Sequence, residues 1–263
     1  MTEQKRSIRN HAKELLKSGE AVRALNVFES LRPSVVSVVA QTGYEVVLVE
    51  TEHIMHNPET FTNFLLMARH LGLCPTVTIP EVSRTLVSRT LDAGALGICL
   101  SHAETPEDVN DLVRWSKYPP VGERALAHGP NSDYQIEDAS SYCADANDAT
   151  MIVLKIESRL GIENAEEMIS QEWVDGVVFG PGDLASDMGL HGQLDHPDLI
   201  AAMNSVARIA LNKGKAVESP VYATDPAEFR HQREQGFQIF GPIRTTEYDM
   251  LRKAAAEAIA PFQ

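Results

Sequence analysis

Eight short apolar runs, each separated from the next by a stretch with helical spacing, constrain the fold of this chain more than any other feature. The runs cover 22–28, 45–50, 75–79, 96–100, 150–156, 174–179, 215–219 and 237–241. They are rich in Val, Ile and Leu, and most lack an apolar–polar alternation. Parallel strands buried on both faces have that signature. Helical patterns lie between them near 33–42, 58–72, 83–93, 105–117, 162–169, 197–213 and 225–235, with a last one over roughly 245–260. Asn57-Pro58, Thr105-Pro106, His196-Pro197 and Asp225-Pro226 each place proline at a first helical position. Gly43, Gly94, Gly214 and Gly236 stand where a helix must stop before the next strand. Eight β/α units are the number that closes a (β/α)8 TIM barrel. An open, doubly wound sheet is the other arrangement the alternation allows.

A length of 263 residues fits one such barrel, so 1–263 is expected to form a single domain. The segment 118–149 breaks the rhythm. It is polar and weakly periodic, and is expected to be an irregular excursion with a functional or interface role. A formal charge of −14 argues against binding a nucleic-acid backbone. No apolar run reaches the ~18 residues a membrane helix needs, and the first residues are polar, so a cytoplasmic protein with no membrane partner is expected. Cys74, Cys99 and Cys143 have no metal-ligand spacing and read as reduced, mostly buried thiols.

In a parallel barrel the chemistry lies at the carboxyl ends of the strands. Glu157 ends the run 151–156, and Asp183 follows the run 174–179 after Gly180-Pro181-Gly182. Two carboxylates on consecutive strand ends can share a hard divalent cation, for which Mg2+, Mn2+ or Co2+ suit an oxygen-rich site. Each could equally cap the helix that follows it. Glu50, Glu52 and His53 end the second run, and His53 has the proton-transfer chemistry of a near-neutral imidazole. His56, three residues on, makes a His-x-x-His metal pair a further reading. Glycine at 180 and 182 lets backbone N–H groups approach a ligand closely, or simply makes a tight turn. Thr78, Glu218 and Arg244 complete the groups at strand ends, and Asp92 closes the third helix. There is no phosphate-binding loop and no nucleophile elbow.

Five strings together resemble the HpcH/HpaI family of class II pyruvate aldolases: VVLVETEHIMHNPE (46–59), TLDAGALGICL (90–100), RWSKYPPVGERA (114–125), VLKIESRLGIENA (153–165) and DGVVFGPGDLASDMG (175–189). The resemblance spans about residues 15 to 255. It implies a (β/α)8 barrel whose last helix is swapped between partners, in a homohexamer built as a trimer of dimers. It implies reversible cleavage of a 4-hydroxy-2-oxo acid to pyruvate, or a related 2-oxo acid, and an aldehyde, through an enolate stabilised by a divalent metal. By position, Glu157 and Asp183 would be the metal ligands. His53 would be the base, acting through a water on the metal and partnered by Asp92. Gly180, Pro181 and Gly182, with Asp183, would cradle the keto-acid carboxylate.

The chain departs from the family pattern at four places. Thr78 stands where the family has a donor-binding arginine, and a hydroxyl does not replace a guanidinium. Glu50 replaces an aspartate, Glu218 replaces a glycine, and Arg244 stands where an aspartate is usual. One reading has Arg244 pairing with Glu218 or supplying the cation lost at Thr78; another has it starting the last helix and facing solvent. Arg124, kept in Gly122-Glu123-Arg124, would contact substrate, a neighbouring subunit or a structural ion pair. Two other functions remain open on these residues. One is another enolate enzyme of the superfamily: a decarboxylase, hydratase, citrate-lyase-like or condensing enzyme. The other is a non-catalytic barrel that binds a small acid.

Overall fold

In the computed structural model, residues 8–241 and 246–262 are described. The eight strands form: β1 Val22–Val27, β2 Val46–Glu50, β3 Cys74–Ile79, β4 Gly97–Leu100, β5 Met151–Ile156, β6 Gly176–Phe179, β7 Ala216–Val217 and β8 Ile239–Phe240. Every pairing is parallel, and the order β7-β6-β5-β4-β3-β2-β1-β8 follows the sequence with β8 beside β1. Among the described residues, a single bridge between Glu218 and Ile239 joins the two ends. The sheet is therefore a nearly closed barrel, and the open doubly wound alternative does not apply.

The missing alternation has a direct cause. One set of strand residues, including Ala24, Leu48, Cys99, Val153 and Val178, fills the barrel interior. The other set, including Val47, Val49, Val77, Ile98, Ile152 and Val177, packs under the surrounding helices. Both faces are apolar, so the period of two is present but invisible to a polarity test. The inward set changes character near the carboxyl ends. There it becomes Asn26, Glu50, Thr78, Lys155 and Glu218, all buried. Polar groups at this depth survive only if they are paired or serve a ligand.

A helix His11–Lys17, unmarked by the sequence pattern, closes the opposite pole. Ala12 and Leu16 join the interior cluster. The Asn10 side chain accepts from the Lys13 N–H and donates to the Leu96 and Ala149 carbonyls. The Lys13 ammonium reaches Asp175 at 3.0 Å. Two other helical expectations change. The excursion 118–149 is irregular only in part, because Asp138 caps a helix over Ala139–Ala149. The pattern near 162–169 is two short helices, Arg159–Glu163 and Ala165–Ile169.

The last helix, Glu247–Ile259, buries none of its residues within the chain, and Leu251 and Ile259 are exposed. Its start is tied down. The Glu247 carboxylate accepts the N–H groups of Phe28, Glu29 and Ser30 at 3.0, 2.7 and 3.1 Å. No helix among the described residues is long and apolar enough to cross a membrane.

Candidate active site

The carboxyl ends of the strands carry a cluster of acids around one lysine. Glu157 follows β5 directly and is 1% exposed. Its Oε1 accepts the His102 backbone N–H at 2.7 Å. Its Oε2 is buried and accepts no hydrogen bond. Glycine at 180 is a steric requirement of this placement. A Cβ there would lie 1.9 Å from Glu157 Oε2 and 2.7 Å from its Cβ. The first glycine of Gly180-Pro181-Gly182 thus makes room for a carboxylate, whereas a Cβ added at the second would meet nothing within 4 Å.

Glu52 and His102 face Glu157 from the loops after β2 and β4. One ligand atom from each of Glu52, His102 and Glu157 lies within 4.8 Å of the others. His102 holds its place in a left-handed backbone conformation, with φ of 43°. Lys155 shares the inward face of β5 with Glu157, two residues away. Its ammonium lies 3.4 Å from Glu157 Oε2, 3.6 Å from Glu52 Oε2 and 3.4 Å from Ser101 Oγ. Beneath them, Glu50 accepts the Glu52 N–H at 2.6 Å, and Glu218 accepts the Phe179 N–H at 3.1 Å. The Thr78 hydroxyl is buried with no hydrogen-bond partner.

Proton affinities follow from this crowding. Burial raises the Glu157 pKa, against the pull of Lys155 and the His102 N–H. Burial alone would also raise Glu52, but the Ser101 hydroxyl, Lys155, His53 and His102 together bring it below the usual range. Burial opposes the charge on Lys155, yet the carboxylates, Glu157 first, outweigh it and lift its pKa.

These residues fit a hard divalent cation. The donor set is oxygen-rich with one imidazole. The orphaned Glu157 oxygen is a buried acceptor in need of a positive partner, and Lys155 offsets only part of the local negative charge.

The other expected residues divide into three groups. Asp183 sits exposed in the first turn of the helix Pro181–Asp187, three residues past Gly180 and outside the Glu52–His102–Glu157 cluster. Pro181 is the first residue of that helix. His53 is at the rim, 60% exposed in its side chain, with Nε2 3.9 Å from Glu52 Oε2. His56 is not paired with it for a metal: its Nε2 bonds the Glu50 carbonyl at 2.7 Å and its ring stacks on Phe61.

Asp92 and Arg124 lie elsewhere within the chain. Asp92 ends the helix Arg84–Asp92, which carries the chain from the end of β3 back toward the start of β4. That is the pole opposite Glu157. There Arg124 donates to Asp92 at 2.7 Å and lies over the Tyr118 ring. The expected His53–Asp92 partnership is therefore not formed inside one chain. Arg244, and with it its proposed pairing with Glu218, lies outside the described residues.

Two residues of the site were missed by the sequence reading. His102 stands two residues past β4, the same strand-end position that drew attention to Glu157. Lys155 is a lone charge inside an apolar strand, on the face set by Glu157. Both signals were present in the string.

Comparison with known proteins agrees with this architecture. The family model for HpcH/HpaI aldolase/citrate lyase matches residues 23–241. A hydroxypyruvate/pyruvate aldolase of Roseovarius nubinhibens is 30% identical over 231 residues, covering 88% of this chain and 88% of that protein. A 2-keto-3-deoxy-L-rhamnonate aldolase of Klebsiella pneumoniae is 28% identical, covering 72% of this chain and 70% of that protein. The crystal structure of an HpcH/HpaI aldolase from Desulfitobacterium hafniense superposes with a TM-score of 0.86 at 26% identity, covering 95% of each chain. With the family model spanning most of its length, this chain belongs to the HpcH/HpaI aldolase/citrate lyase family.

Proposed function

We propose that this protein is a divalent-metal-dependent aldolase that reversibly cleaves a 4-hydroxy-2-oxo acid to pyruvate, or a related 2-oxo acid, and an aldehyde. The observation that carries the reading is the Glu157 carboxylate, with one oxygen fixed by the His102 N–H and the other buried without a hydrogen bond. Glu157 and Asp183 would hold the cation, with Glu52 and His102, the groups clustered with Glu157, as further donors. When bound, Mg2+, Mn2+ or Co2+ supplies a Lewis acid that draws electron density from the oxygens of the keto acid. His53 moves the proton of the 4-hydroxyl at the rim, where the aldehyde departs. Glu52 stands 3.9 Å from its Nε2. The open backbone at Gly182 receives the donor carboxylate.

Assembly is part of the same reading. The last helix exposes Leu251 and Ile259, an apolar face that a second copy would cover as the swapped helix of a hexamer. Asp92 and Arg124, remote from the mouth of their own barrel, would act only at the mouth of a neighbour. The buried, unpartnered Thr78 hydroxyl favours a second reading, in which another enolate reaction of the superfamily has replaced ordinary pyruvate release.

The test is release of pyruvate from a 4-hydroxy-2-oxo acid, followed through lactate dehydrogenase and NADH. Activity should vanish on chelation and return with Mn2+, Co2+ or Mg2+. Glu157→Gln should stay inactive with every metal. Equal turnover before and after chelation would remove the metal from the account.

A further inference from the structure

Lys155 is the only lysine or arginine at an inward position of β1–β8 among the described residues. Moving a four-carbon ammonium into a barrel interior is costly, and such a group persists only with tight partners or a ligand to serve. Its partners here are not tight. Glu157, Glu52 and Ser101 offer oxygens at 3.4, 3.6 and 3.4 Å. Well-made N–H···O bonds to carboxylates are ~2.7–2.9 Å. The ammonium is thus suspended among three oxygens and makes a short bond to none of them. A simple structural ion pair would close onto one carboxylate, as Lys13 does onto Asp175 at 3.0 Å. On the inward face of β3, two strands away, the Thr78 hydroxyl is also buried and has no hydrogen-bond partner.

We propose that Lys155 is an oxyanion-binding catalytic residue: its ammonium takes the C2 oxygen of the 2-oxo acid. The proposal rests on the aldolase reading, because the carboxylates around Lys155 outnumber it and a bound cation completes the charge an anion needs. As the C3–C4 bond breaks, its electron pair moves into the donor fragment and negative charge gathers on the C2 oxygen. The 4-hydroxyl gives up its proton as the aldehyde carbonyl forms. A fixed positive charge already buried beside that oxygen favours the cleaved state over the bound acid.

The experiment is oxalate binding by calorimetry, with oxalate as the planar mimic of the cleaved donor. It is run on wild type, Lys155→Met and Lys155→Arg, each with and without saturating Mn2+. Mn2+ affinity is measured separately by electron paramagnetic resonance. Lys155→Met should weaken oxalate about 10- to 100-fold, the loss expected for one hydrogen bond to a charged group. Its Mn2+ affinity should hold or rise, because a cation 3.4 Å from Glu157 has gone. Lys155→Arg should keep oxalate within about fivefold. With the full substrate, kcat of Lys155→Met should fall more than KM rises. Oxalate affinity within twofold of wild type in Lys155→Met would overturn the proposal and leave Lys155 as a structural cation. A wild type that binds no Mn2+ would sink the metal-aldolase reading, whereas wild-type Mn2+ affinity with oxalate binding indifferent to Lys155→Met would sink this one alone.

Discussion

Gly180→Ala attacks the site without replacing any of its side chains. The backbone at Gly180 has φ of −103° and ψ of 77°, so alanine suffers no left-handed strain and the effect must come from the added methyl. That methyl would be placed 1.9 Å from Glu157 Oε2, 2.7 Å from its Cβ and 2.9 Å from its Cδ. No rotation of the carboxylate alone relieves a clash with the Cβ, so the side chain or strand end must shift. The bond from the His102 N–H to Glu157, 2.7 Å long and charge-assisted, goes with it. Overpacking costs ~1–3 kcal/mol, and a lost hydrogen bond to a buried charge ~1.5–3 kcal/mol. A ligand pushed off its position should lower Mn2+ affinity at least about 10- to 100-fold, as loss of a supporting contact does. Gly182→Ala is the control for metal binding and folding, because its methyl meets nothing within 4 Å. Mn2+ titration by electron paramagnetic resonance and thermal melts measure both variants. Gly180→Ala with wild-type Mn2+ affinity and stability would refute the claim that Glu157, held against Gly180, is a metal ligand.

Three other outcomes follow from the same structure. Lys117 is buried against the Asn147 and Thr150 carbonyls, and burial first, then Lys13, lowers its pKa to about 7. Between there and the ordinary lysine value only the unfolded chain carries the proton. Stability should therefore climb as pH rises from 7 to 9, by at most ~1.4 kcal/mol per pH unit; parallel curves for wild type and Lys117→Met would exclude it. Burial lifts the Cys74 thiol to about 11 and Cys99 to about 12, so Ellman's reagent should titrate Cys143 alone in the native protein and all three after unfolding. Leu251→Glu should lower the mass found by light scattering from a multiple of 28.9 kDa toward that value, and a monomeric wild type would contradict the assembly reading.

Much of the barrel could be read from the string because burial on both faces leaves near-continuous apolar runs. Where that condition weakens, the reading blurs. The runs 215–219 and 237–241 shrink to Ala216–Val217 and Ile239–Phe240, because the sheet closes there through little more than one bridge. Helix His11–Lys17 is too short to show a period, and its stability comes from the barrel floor it covers. In 118–149, the polar residues that suggested a loop include Asp138, whose carboxylate accepts the N–H groups of Ser140 and Ser141 and starts a helix. At the site, Glu157 was legible because a carboxylate past a buried strand must face the mouth. Asp92 and Arg124 were not, since a motif gives an order of residues but not the pole to which a returning helix delivers them. Lys155 required one further step, the face it shares with Glu157 two residues on.

Everything proposed for this site depends on Glu157 binding a divalent cation that serves a 2-oxo acid. Anomalous diffraction from crystals soaked with Mn2+ and oxalate tests it most directly. One strong manganese peak is expected about 2 to 2.6 Å from a Glu157 carboxylate oxygen, with oxalate between the metal and Lys155. Manganese absent from Glu157, or bound only at acids on the outer surface, would contradict it.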